Sequence, residues 1–119
     1  MTPRYHPLDA LTTLLDRSEV TYQAYVKNNN SFLYAKILRD CNEAIRELLL
    51  SNVHFLPSEI RHHAIALLHH IDVWCALWDF VEKSEMPAQT DAFTFDNCVN
   101  FPKQEVALLV DYLDTCKSL

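Results

Sequence analysis

The sequence predicts an all-α fold, an antiparallel four-helix bundle with a long irregular crossover before the last helix. Three observations carry that prediction. Apolar residues recur at three-and-four spacing in four separate segments, the mark of amphipathic helices. The 119 residues include no glycine, so the Asn-Gly and Asp-Gly turns that close tight β-hairpins are missing. Short connections join the first three segments and a longer one precedes the fourth, which suits an up-and-down bundle. One helical domain over residues 1–119 is expected, long enough to bury a single core.

The first helix is expected over about Leu8 to Lys27, with Pro7 at its first turn. Its inner side reads Leu8, Leu11, Leu15, Tyr22, Tyr25 and Val26. Asn28, Asn29, Asn30 and Ser31 break the pattern and supply cap residues for the next helix. That second helix, about Phe32 to Asn52, turns Tyr34, Ile37, Leu38, Cys41, Ile45, Leu48 and Leu49 inward. Asp40, Glu43 and Glu47 take its opposite side.

After the short apolar loop Val53 to Leu56, Pro57 and Ser58 open a third helix, Ser58 to about Glu85. Its core stripe is Ile60, Ala64, Leu67, Leu68, Ile71, Trp74, Cys75, Trp78 and Val81. Ile65, Ala66, Val73, Ala76, Leu77 and Phe80 fill most of the other side, interrupted by His62 and His69. A helix that is hydrophobic all round needs a second thing to pack against. The fourth helix, about Pro102 to Lys117, presents Val106, Leu109, Val110, Leu113 and Cys116. It is much shorter than the third.

The irregular stretch is Met86 to Phe101, where Phe93, Phe95, Val99 and Phe101 fall on alternate positions. That spacing predicts extended chain laying aromatic rings onto the helices. A connection of this length is either a static cover or a lid over a binding site.

Composition excludes several functions. Without glycine there is no Walker-type phosphate loop, dinucleotide fingerprint or nucleophile elbow, since each needs glycine at a tight turn. The net charge is −6 and the ten Lys and Arg residues are scattered. Nucleic-acid partners are not expected, because phosphate neutralisation needs a basic stripe. Anionic membranes are disfavoured for the same reason, and no unbroken apolar run has spanning length. Met1 to Arg17 holds no apolar run of signal-peptide length, and Cys41, Cys75, Cys98 and Cys116 form no CxxC pair. A cytoplasmic protein with reduced thiols is the expectation.

Glu59, His62, His63, His69, His70 and Asp72 crowd one helix and invite a metal reading. Di-iron bundles use two Glu-x-x-His motifs and two further inward glutamates. Here only Glu59 and His62 make that motif, and they point away from the core stripe. His62 and His69, like His63 and His70, lie two turns apart, about 10.5 Å, too far to share one ion. The surface set Glu59, His62, His69 and Asp72 is what remains; no metal or cofactor is expected.

Arg61 followed by His69 on this helix, and Arg46 followed by His54 before it, come near, without matching, the motif of the HEPN ribonuclease class, an Arg and a His with four to six residues between them. Arg61 and His69, and Arg46 and His54, are each separated by seven. The resemblance implies a hydrolytic helical bundle, and the spacing departs from it. Ser31, Ser58 and Ser84 sit at helix ends where capping accounts for them, and Cys75 is expected to be a buried, inert thiol. No catalytic residue is assigned.

The leading expectation is therefore an interaction module, homodimeric through His62, Ile65, His69, Val73, Ala76 and Phe80. A two-fold axis lets one patch satisfy itself. Such a protein would serve as an adaptor, an inhibitor or immunity partner, or a regulator. Protonation of His62 and His69 below about pH 6 would weaken that contact. The N-terminal arm, Met1 to His6, is another way to cover the face. A further alternative is a small-molecule pocket formed by Trp74, Trp78, Phe93, Phe95 and Phe101.

Overall fold

A computed structural model describes residues 6–118, with side chains through residue 117. The described residues form four helices, α1 (Leu11–Lys27), α2 (Phe32–Asn52), α3 (Ser58–Glu85) and α4 (Lys103–Ser118), and no strand. A single 3-10 turn, Val53–Phe55, joins α2 to α3. Each helix packs on the next in sequence, and the principal extents are 51 × 25 × 22 Å. The arm Met1 to Tyr5 lies outside the described residues, so only His6 of it can be placed, edge-on to Tyr112 at 6.2 Å.

The first helix starts three residues later than expected. His6 N–H donates to Asp9 Oδ2 at 2.8 Å and Leu8 N–H donates to His6 Nδ1 at 3.0 Å. This turn buries Leu8 fully without making it helical. The inner side of α1 also differs from expectation: Leu11 and Thr21 are buried, whereas Tyr22 and Val26 are exposed. Thr21 can face α2 because its hydroxyl is satisfied. It donates to Arg17 O at 2.9 Å and accepts from the Cys41 thiol at 3.7 Å.

A chain without glycine still needs left-handed backbone where a helix turns back. Asn29 and Asn30 supply it at φ 58° and 55°, as asparagine tolerates, and Met86 does so at φ 47° after α3. The start of α2 does not use the expected cap. Ser31 makes no side-chain cap bond; instead Phe32 N–H donates to Asp91 O (2.8 Å) and Leu33 N–H to Gln89 O (3.0 Å). The irregular segment therefore satisfies two of the orphan donors of α2. Ser58 and Ser84 do not cap either. Ser58 lies inside α3 behind Pro57, and Ser84 Oγ donates back to Phe80 O at 2.8 Å.

Two apolar clusters form around α3. The larger one is aliphatic and gathers Leu8, Leu11, Ile45, Leu49, Leu56, Leu67, Ile71, Leu109 and Leu113 at the end where α4 packs. The smaller is aromatic: Phe32, Ala35, Trp78 and Phe93, at the α1–α2 turn. Between α2 and α3, Arg39 grips Asp79 through two bonds (2.9 and 3.0 Å) and Glu43 through a third (2.7 Å). Farther along, Arg46 meets Asp72 at 2.6 Å.

The sequence reading expected no spanning segment, and this needs correction in one respect. An 18-residue stretch of α3 has a mean hydropathy of 1.4, so the helix is long and apolar enough to cross a membrane. Apolar residues on two faces, not one unbroken run, produce that mean. The stripe Ala64, Leu67, Leu68, Ile71, Cys75 and Trp78 is buried against the chain itself, while 33% of the apolar stretch as a whole is buried.

Candidate functional site

Two surfaces stand out. The first is the outer face of α3. Once the core stripe is buried, Ile65 keeps 51% and Phe80 68% of its surface exposed. His62, His69 and Ala76 are exposed as well, and Val73 is half-buried. These six fall on one line of the helix, about 27 Å long at 1.5 Å per residue.

The second is a groove of about 930 Å³. One wall is α1, through Leu15, Ser18, Tyr22 and Tyr25. The floor is Ala35, Leu38, Asn42 and Ile45 of α2. The other wall combines Leu67, His70, Ile71, Trp74 and Trp78 of α3 with Phe93, Thr94, Phe95 and Phe101 of the irregular segment. All five residues of the expected aromatic pocket thus line one groove.

The path of the segment explains why. From Phe93 to Phe101 it runs back down α3. Phe93 lies 5.1 Å from the Trp78 ring, Phe95 5.6 Å from Trp74, and Phe101 5.5 Å from His70. Such ring pairs add to plain apolar burial. Polar anchors hold the path: Trp78 Nε1 donates to Ala35 O (3.2 Å) and Asn97 Nδ2 to His70 O (3.4 Å). His70 Nδ1 lies 2.8 Å from Val99 O. A carbonyl only accepts, so this contact is a hydrogen bond in the tautomer that carries its proton on Nδ1.

At the α1–α2 turn the groove is closed. Phe93 N–H donates to Asn30 O at 2.8 Å, and the Tyr25 hydroxyl donates to Phe93 O. Burial, then the neighbouring Tyr22, raises the Tyr25 phenol above its ordinary range. At the other end Leu67, Ile45 and Val106 pass into the aliphatic cluster. The groove is open to solvent where the exposed residues Tyr22, Thr94 and Phe101 line it. Its charges sit at the exposed rim: Glu19, which accepts from Gln23 at 2.9 Å, and Lys103.

The histidine-rich stretch of α3 does not converge. Glu59 and His62 are exposed, Asp72 is bound to Arg46, and His70 is tied to the segment. No three or more His, Cys, Asp or Glu among the described residues approach closely enough to share an ion. His63 Nδ1 and Arg61 Nε are buried without partners among the described residues, while Arg61 Nη2 donates to Leu56 O at 3.0 Å. Arg61 and His69 are eight positions apart on one helix, about 12 Å along its axis, and Arg61 is turned to Leu56 O. His54 is against Phe55, and Arg46 is engaged by Asp72.

The cysteines are all free; Cys41 and Cys75 are buried, Cys116 is half-buried and Cys98 is exposed. Burial pushes the Cys75 thiol up, which suppresses the reactive thiolate. Sequence reasoning missed Ser18, Tyr22, Tyr25, Leu38 and Asn42 as groove residues, because they come from two helices whose relative rotation no local pattern reports. Compared with known protein families, curated proteins and solved structures, the chain matches none.

Proposed function

We propose that the chain is a small cytoplasmic interaction module that pairs with a second copy through the outer face of α3. The observation that carries this reading is the line of exposed Ile65, Ala76 and Phe80 with half-buried Val73 between them, and His62 and His69 beside it. Exposed apolar residues in a continuous stripe cost free energy in water, and covering them recovers roughly 25 cal/mol per Å². An antiparallel two-fold pairing would lay one end of the stripe against the opposite end of its copy. As an adaptor, an inhibitor or immunity partner, or a regulator, the protein would leave its groove and remaining faces for other contacts.

The same proposal includes the finer architecture, an antiparallel four-helix bundle with a crossover before α4. Its support is register: Arg39 meets Asp79 while Arg46 meets Asp72, so numbers rise on α2 as they fall on α3. The free thiols support a reducing compartment, and the net charge of −6 supports a protein partner over nucleic acid.

Light scattering on a size-exclusion column over a dilution series tests the pairing. The expected mass is about twice 13.8 kDa. Phe80→Glu combined with Ile65→Glu should give the single-chain mass with unchanged helicity. A wild-type chain that stays monomeric at every concentration would overturn the reading.

A further inference from the structure

We propose that the groove between α1 and segment 93–101 binds a small, elongated, uncharged organic molecule, mostly apolar, with a hydrogen-bonding group nearer one end. The inference is independent of pairing through α3.

Size and closure favour a small molecule over a peptide helix. The groove of about 930 Å³ is within the upper range of ligand sites. It extends from Leu15 to Tyr25 along α1, about 15 Å at the helical rise. The hydrogen bonds from Tyr25 and Phe93 close one end and the aliphatic core closes the other. A partner helix running through the groove would need open ends, and both ends are closed.

The lining specifies the chemistry. Tyr22, Trp74 and Phe95 offer aromatic surface, which suits a planar or apolar body. No unpaired charge lies inside, so an ion would lose its hydration without compensation. About a third of the way from the aliphatic end, Ser18 on α1 and Asn42 on α2 are half-buried, and neither side chain has a partner among the described residues. Both remain open to the groove, since neither is sealed off with an unsatisfied atom. Two unused hydrogen-bonding side chains set among aromatic and aliphatic neighbours are the pattern that orients a ligand.

N-phenyl-1-naphthylamine, uncharged and with one N–H donor, is a suitable probe. Its fluorescence on titration should rise to saturation at one molecule per chain. Ser18→Phe narrows the groove and Thr94→Arg places a charge at its mouth; each should weaken binding by about tenfold or more. Asn42→Leu removes one hydrogen bond and should weaken it roughly two- to tenfold. Phe80→Glu, outside the groove, should leave affinity unchanged. Circular dichroism melts identify which variants fold, and loss of binding in either folded variant supports the proposal. A wild-type chain without saturable binding overturns it, as does binding that survives both Ser18→Phe and Thr94→Arg.

Discussion

The two ends of the helical stack are built differently. Where α4 packs, the space between helices is filled by branched aliphatic side chains, and Leu11, Leu49 and Leu109 have no exposed surface at all. Toward the α1–α2 turn, α4 is absent and an extended segment stands in its place. Phe93 is buried there against Phe32 and Trp78, yet Trp74, Phe95 and Tyr25 remain only partly covered. A helix fills the corner of a bundle with side chains on every turn. Extended chain covers one neighbour and leaves a trough beside the other. The groove is thus a consequence of α4 having 16 residues against the 28 of α3.

If that contrast is right, truncation should cost more in the filled end than in the open one. Leu109→Ala creates a closed cavity and should lose about 3–5 kcal/mol of stability. Leu38→Ala, on the groove floor and 8% exposed, should lose about 2 kcal/mol, since water already reaches the site. Equal losses in urea denaturation would erase the distinction.

Next in size is the clasp that closes the groove. Tyr25→Phe removes the hydroxyl that donates to Phe93 O and should cost about 1 kcal/mol. Its pH dependence sharpens the test. The phenol titrates higher in the folded chain than its ordinary value of 10.0, so its contribution is present below pH 10 and fades as pH rises through the folded value. Wild-type stability should therefore fall toward that of Tyr25→Phe above pH 10. A gap that is constant from pH 8 to 11 would contradict the assignment.

The smallest effects belong to the ion pairs that run along α2 and α3. Arg39, with a 19% exposed side chain stacked over Trp78, holds Asp79 and Glu43, and the Asp79 bond keeps its guanidinium firmly charged. Arg39→Ala should cost about 1 kcal/mol, part of it lost packing. Arg46 and Asp72 are both about half exposed, so Arg46→Ala should change little, and less still in high salt. Comparable melting shifts for the two variants would argue that the aromatic end gains nothing from its buried partner.

Much of this was legible in the residues. The inner stripe of α3 from Ala64 to Trp78 and the inner face of α4 from Val106 to Leu113 appear where their periodicity places them. The misplacements have specific causes. Tyr22 and Val26 looked inward because α1 is apolar on a broad arc, and only Thr21's paired hydroxyl shows which side meets α2. Ser31 looked like a cap, but the backbone at Gln89 and Asp91, far along the chain, supplies the bonds instead. For the candidate sites, Phe93, Phe95 and Phe101 were readable from their alternation, whereas Ser18 and Asn42 gave no local signal.

The sequence by itself determined the all-α class, the four helices and the residues that α3 buries. Those follow from spacing along one chain, a local property that needs no knowledge of neighbours. Only the tertiary structure decided that the aromatic segment folds back down α3, that its carbonyls cap α2, and that an open groove remains beside α1. These depend on contacts between distant residues, whose geometry is set by how the helices rotate and end against one another.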